Sequence, residues 1–246
     1  MKRHLITAFL LTIASGAYAA SSHTHWGYSG AVGPANWATL SPEFATCASG
    51  KNQSPIDIQK GYQAILDRVE FRYRAGARDI VNNGHTIQVN FEPGSSLVIG
   101  KHVYELKQMH FHTPSENRIE GQSFPMEAHL VHTDTQGNIA VVAVLFRTAY
   151  WPNDVVGTLW EQMPMKRGQK YRLQEQLSAE DLLPSSKHHY QFNGSLTTPP
   201  CSEGVTWILL KQPEDVTESQ VEKLLQAVKH ANNRPVQPLN ARIVVE

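Results

Sequence analysis

The 246-residue chain holds only two cysteines, Cys47 and Cys201, too few to build a thiolate metal site by themselves. Acidic and basic residues balance at 22 each, so the one-signed field that a nucleic-acid or membrane-surface partner exploits is missing. The apolar stretch at 5–14 is too short to span a bilayer as a stable helix. No Gly/Ser-rich linker, charge block or internal repeat divides the chain, so a single domain is expected. His-Glu-x-x-His, the helix-borne zinc motif of metalloproteases, is also absent.

What is present begins with a leader-like start. Lys2 and Arg3 precede the apolar stretch, and Ala17-Tyr18-Ala19 follows with the small-x-small pattern of a signal-peptidase site. Cleavage is expected after Ala19, with Ala20 as the adjacent choice, and export is a better reading than a membrane anchor. Loss of Lys2 and Arg3 would leave the mature chain slightly acidic. In an oxidising compartment an even cysteine count favours a disulfide over two buried thiols. Closing so long a loop is worth roughly 4–5 kcal/mol in the chain-entropy model.

The body reads as strands with few helices. Residues 86–91 alternate, with Ile87, Val89 and Phe91 on one side. Residues 97–99, 103–112, 126–132, 139–146 and 205–210 are further short strands. Glu92-Pro93-Gly94-Ser95 and Thr135-Gln136-Gly137-Asn138 carry turn chemistry between neighbouring runs and predict antiparallel returns. Helices are peripheral. Thr217-Glu218-Ser219-Gln220 is a capping box leading into Val221, Leu224, Leu225 and Val228 at helical spacing. Residues 153–163 form a second candidate, and 178–181 a short third that Pro184 stops. After two prolines the tail extends again at 243–245. The expected fold class is α+β, mainly β: one domain on a large, mostly antiparallel twisted sheet with short peripheral helices.

The densest chemistry lies in Gln108-Met109-His110-Phe111-His112, answered by Glu127-Ala128-His129. Side chains of an extended strand alternate between faces, so His110 and His112 point one way and Phe111 the other. A returning strand could bring His129 to the same point. Three neutral imidazoles with an open fourth position form the ligand set of a catalytic zinc. Gln108 shares the face of its two histidines, and Glu127 that of His129. Each could accept an imidazole N–H and fix the tautomer of that ring. Histidines 23, 102, 132 and 230 have no partner legible in the sequence, and His188-His189 reads as a solvated or packed strand pair.

Further segments complete a pattern. They are His25-Trp26-Gly27-Tyr28-Ser29-Gly30, Asn52-Gln53-Ser54-Pro55-Ile56-Asp57-Ile58, Asn82-Asn83-Gly84-His85, Gly194-Ser195-Leu196-Thr197-Thr198-Pro199-Pro200-Cys201 and Arg234-Pro235-Val236-Gln237-Pro238-Leu239. With the histidine segments, and in this order, the chain resembles an α-class carbonic anhydrase of bacterial secreted type over nearly all of its mature length. That family is itself the standing example of a three-histidine catalytic zinc site.

The resemblance implies reversible hydration of CO2 to bicarbonate and a proton by hydroxide on Zn2+, held by His110, His112 and His129. It implies that Thr197 donates to Glu116 and accepts from the nucleophile, and that Thr198 lines the bicarbonate side. Val131, Val141, Leu196 and Trp207 would form the apolar wall for CO2, and His85 would carry the released proton. It implies a disulfide between Cys47 and Cys201 and a periplasmic, unanchored enzyme spanning 20–246 after a leader at 1–19. Monomer and homodimer both stay open. After His112 the chain reads Thr113-Pro114-Ser115-Glu116, the short bacterial form, where animal members carry a Trp and a longer loop. Rival readings are a non-catalytic binding module on the same fold and a zinc hydrolase with esterase activity.

Overall fold

The computed structural model describes residues 24–246 apart from 75, 175 and 176; the leader-like segment at 1–19 with Ala20, and also His23, lie outside the described residues. Two short helices, α1 (Trp37–Leu40) and α2 (Thr46–Ser49), open the fold. Thirteen strands then run β1 (Asp57–Ile58), β2 (Val69–Arg72), β3 (Ala77–Asn82), β4 (Ile87–Phe91), β5 (Ser96–Ile99), β6 (His102–His112), β7 (Arg118–Ile119), β8 (Met126–Thr133), β9 (Ile139–Thr148), β10 (Lys170–Arg172), β11 (His189–Ser195), β12 (Glu203–Leu210) and β13 (Glu214–Val216). Helix α3 (Asp154–Glu161) follows β9, and α4 (Glu218–Val228) follows β13.

Eleven strands form one sheet, ordered β10-β3-β4-β6-β8-β9-β12-β11, with β2, β5 and β13 joined at its margins. The tight return at 135–138 joins the antiparallel pair β8 and β9, as its turn chemistry predicts. The turn at 92–95 does not make the expected return, because β4 and β5, which it joins, follow one another along the same edge of β6 and pair with that strand, not with each other. Among the described residues three pairings are parallel: β9 with β12 and β9 with β13 in this sheet, and β1 with β7 as a separate two-stranded sheet. Their partners come from far along the chain, so no short return restricts their direction.

Both faces of the middle strands are covered. On β9, Ala140, Val142, Val144 and Phe146 join the main core, while Val141, Ala143 and Leu145 join a second apolar cluster on the opposite face. That double burial is why 139–146 reads as a continuous apolar run instead of an alternation. On β6 the register shifts between Leu106 and Gln108. The extra residue leaves Leu106, Met109 and Phe111 all on the main-core side. Gln108, His110 and His112 therefore face away from that core.

The helices follow their caps. Thr217 and Gln220 complete the capping box of α4, whose buried side is Leu224, Ala227 and Val228. Leu225, expected on the apolar stripe, is exposed. Asn153 caps α3 by accepting from Val156 N–H. The third candidate is a 3-10 turn, Ala179–Leu182, capped by Ser178. The tail at 243–245 forms no ladder strand: Val245 makes isolated bridges to Tyr62 and Gln191, while Val244 is buried in the second apolar cluster. Cys47 and Cys201 form the disulfide, 154 residues apart in sequence, inside an N-terminal cluster with Trp37 and Phe44.

His132, with no partner legible in the sequence, is fully buried on the core side. Its Nδ1–H donates to the Ala140 carbonyl at 3.2 Å, and its Nε2 accepts from the Tyr73 hydroxyl at 2.8 Å. Burial lowers its pKa to about 4. An unfolded histidine titrates near 6.5, so between those values the unfolded chain binds the extra proton. Stability from this group is intact above pH 6.5 and falls as pH drops toward 4, by about 3 kcal/mol in all. Replacing both partners, His132→Leu with Tyr73→Phe, is expected to remove about one proton from the pH slope of urea-unfolding free energy over that window. An unchanged slope would exclude His132 as its source.

Candidate metal centre

The site is assembled by strand register. His110 on β6 lies opposite His129 on β8, and His112 lies opposite Glu127. The next row holds Gln108, Val131 on β8, Val141 on β9 and Trp207 on β12. All these residues share the sheet face that looks away from the main core, whereas Phe111 packs edge-on against Trp160 on the other side. One ligand-capable nitrogen from each of His110, His112 and His129 lies within 4.8 Å of the others. Among the described residues this is the one such group of three or more.

Each imidazole has one nitrogen already committed. His110 Nδ1–H donates to Gln108 Oε1 at 2.9 Å, and His112 Nδ1–H donates to the Asn232 carbonyl at 2.7 Å. His129 Nε2–H donates to Glu127 Oε1 at 2.8 Å. Since each partner accepts through oxygen, each ring is a neutral tautomer with its other nitrogen left as a lone pair. Two Nε2 atoms and one Nδ1 atom thus face the common point. His112 Nε2 is buried with no hydrogen-bond partner, an arrangement that costs free energy unless a ligand fills it. Burial, then the neighbouring imidazoles, hold His110 well below the usual histidine pKa, and burial lowers His112. Neutral, convergent and unpaired, these nitrogens fit a divalent cation of zinc type.

The supporting residues are themselves fixed. Burial raises the Glu127 pKa, but the electrostatic pull of the His129 ring and the hydrogen bonds from His129 and Asn117 outweigh it and leave the carboxyl low. Glu127 also accepts from the backbone N–H groups of Glu116 and Asn117 and from the Asn117 side chain. Asn232 accepts from Thr113 N–H and donates to the carbonyls of His85 and Phe111. It therefore ties the turn bearing His85 to the end of β6. Neither Asn117 nor Asn232 was legible as a site residue. Asn232 lies 120 residues from His112 in sequence, and only the tertiary fold joins them.

Glu116 is fully buried beside the triad. Its Oε1 accepts from Arg234 N–H at 2.7 Å, and its Oε2 lies 3.5 Å from His112 Nε2 without a hydrogen-bond partner. Burial pushes this carboxyl up to about 7, against the pull of His129, Arg234 and Thr197. The Thr197 hydroxyl thus neighbours Glu116 but leaves Oε2 short of hydrogen-bond geometry. Arg234 donates onward to Gln53, Ser54 and Cys47.

His110, His112, Gln108, Thr198, His85 and Trp26 line one cleft of about 140 Å3. Val131, Val141, Leu196 and Trp207 belong to the apolar cluster beside it, with the Trp207 ring 4.9 Å from that of His129. His85 stacks flat on Trp26, ring centroids 3.8 Å apart. Burial, then Arg167, His25 and His230, lower its pKa to about 4. His188 and His189 lie at the start of β11, away from the triad, and the His189 ring donates to the Lys187 carbonyl.

The family model for eukaryotic-type carbonic anhydrase matches residues 32–246. A carbonic anhydrase of Neisseria gonorrhoeae is 47% identical over 98% of this chain and 96% of its own length. One from Pectobacterium carotovorum is 42% identical over the whole of both chains. Among solved structures, the α-carbonic anhydrase of Thermovibrio ammonificans, determined with the inhibitor sulfanilamide, superposes with a TM-score of 0.89 at 46% identity, covering 92% of this chain and 100% of that one.

The ligand geometry predicts one zinc bound per chain, and its loss in His129→Ala. Glu127→Gln keeps an acceptor near His129 but removes its charge. It is expected to weaken zinc about 10- to 100-fold, measured by competition against a chromogenic chelator. Affinity equal to the parent would show that the Glu127 carboxylate does not tune this ligand.

Proposed function

The chain belongs to the eukaryotic-type carbonic anhydrase family and is an enzyme of that class, and we propose that it hydrates CO2 reversibly at a zinc ion held by His110, His112 and His129. The observation that carries the zinc assignment is the buried, unpaired Nε2 of His112 beside two other imidazoles locked as neutral donors. Zinc in such a site lowers the pKa of water to about 7, the value established for carbonic anhydrase, and so supplies a nucleophile at neutral pH.

The remaining work falls to side chains. Val131, Val141, Leu196 and Trp207 offer CO2 an apolar surface next to the triad and keep bulk water from it. Thr197 is assigned to orient the nucleophile. A hydroxyl has a single proton to donate, so giving it to Glu116 leaves only lone pairs on the cleft side. Thr198, on the cleft wall, is assigned to the bicarbonate side. His85 is assigned to take the released proton to solvent. Stacked on Trp26 it is neutral at pH 7 and able to accept at once, though at its low pKa it holds a proton only briefly. We assign 1–19 to a leader and 20–246 to the mature enzyme; the disulfide supports an oxidising compartment, here the periplasm.

Stopped-flow CO2 hydration by the purified protein, before and after zinc chelation, tests the reading. Fast hydration lost on chelation and restored by zinc is expected. A folded, zinc-loaded protein without hydration would favour a binding module. His85→Ala should lower kcat roughly tenfold or more at low buffer, as loss of a general base does, leave kcat/KM near the parent value, and recover with added imidazole. Unchanged kcat would place the proton carrier elsewhere.

A further inference from the structure

The turn that carries His85 is clamped by a loop that belongs to no part of the site described above. Gly168 N–H donates to the Asn82 carbonyl at 2.7 Å, and Asn82 N–H donates to the Gln169 carbonyl at 3.0 Å. The Asn82 side chain also donates to the Pro164 carbonyl. Within this clamp the Arg167 side chain lies directly over Gly84. A Cβ built on Gly84 would sit 2.6 Å from Arg167 Nε and 2.7 Å from its Cδ. Gly84 has φ +90, a conformation that L side chains rarely adopt. The backbone conformation favours glycine there, and the absence of a Cβ lets the arginine side chain lie across it. His85 is the next residue, with its ring flat against Trp26.

We propose that Arg167 is a positioning residue for proton transfer: packed across Gly84, it holds the His85 ring against Trp26, and its charge sets how readily that ring takes a proton. The inference rests on the reading of His85 as the proton carrier. The charged neighbours acting on His85 are Arg167, His25 and His230, all basic, and after burial Arg167 is the largest of them. No carboxylate is among them to offset that charge. A proton passed from a donor titrating near 7 to a ring held at about 4 moves uphill by roughly a thousandfold in equilibrium. Removing the arginine charge lowers that step. Arg167 is exposed, so its effect is screened by salt.

The test is the titration of the His85 ring followed by NMR in the zinc-loaded protein, beside kcat and kcat/KM at low buffer. In Arg167→Gln the His85 midpoint should rise by at least half a unit. Turnover at low buffer should rise about twofold or more, with kcat/KM unchanged. Arg167→Lys keeps the charge and should stay near the parent midpoint. In the parent, added salt should move the midpoint the same way as Arg167→Gln. A midpoint that stays put in Arg167→Gln, or moves as far in Arg167→Lys, overturns the assignment. So does a parallel fall in kcat/KM, because Arg167 would then act on the whole cleft. The midpoint is read without catalysis, so this inference and the hydration reading can fail independently.

Discussion

Everything at the metal centre depends on one constraint: each of three imidazoles must donate its one N–H to an oxygen outside the cluster. A histidine has two ring nitrogens and, when neutral, one N–H. Gln108 Oε1, the Asn232 carbonyl and Glu127 Oε1 each accept a hydrogen bond from one such N–H. The remaining lone pairs then face one another across a buried point where no protein donor reaches His112 Nε2. Lone pairs held in this way repel, and desolvation makes protonation costly for His110 and His112. A cation resolves both problems together. The arrangement is costly when empty and favourable when filled, which is how a protein selects a metal without a carboxylate in the ligand set.

That constraint reaches outward through a second layer of acceptors, each satisfied in turn. Glu127 can carry full charge inside the protein because two backbone N–H groups and Asn117 donate to it besides His129. Glu116 accepts from Arg234 N–H, with the Thr197 hydroxyl as a further neighbouring donor, and burial raises its pKa where that of Glu127 stays low. The contrast follows from counting donors, since the two carboxyls are equally buried. One is a fixed anion that polarises a ligand. The other is poised near neutrality beside Thr197, where a carboxyl able to change its hydrogen bonding is useful.

The parts of this site visible in the sequence are those set by local geometry. Strand alternation places His110, His112 and Gln108 on one face, and the same rule pairs Glu127 with His129. Leu106 breaks that rule, because the irregularity before Gln108 moves it to the opposite face. The extra residue does leave a trace, since the apolar positions change phase from Tyr104 and Leu106 to Met109 and Phe111 across Lys107-Gln108, but a uniform alternation read through the strand passes over it. Asn232 and Asn117, and the role of Arg234 within its segment, were hidden for a different reason. They act through bonds across the tertiary fold, Asn232 partly through its backbone carbonyl, and a carbonyl carries no information about residue type. The parallel pairing of β9 with β12 and β13 was likewise out of reach, because turn chemistry reports only on strands adjacent in sequence.

His85 shows where motif and physics pull apart. Its motif assigns a proton carrier, a task suited to a group titrating near neutrality, yet stacking on Trp26 among basic neighbours makes the ring a poor base. The two meet in the direction of transfer: a ring held at about 4 gives a proton up to solvent readily, and uptake is the step its surroundings make costly. Asn232 holds both the His85 carbonyl and the carbonyl of Phe111 beside the triad, so the backbone under the ring is fixed. The charged groups that act on the ring, Arg167, His25 and His230, are not among the acceptors that orient the three imidazoles. A change at the rim can therefore alter the proton affinity of His85 without disturbing the three convergent nitrogens.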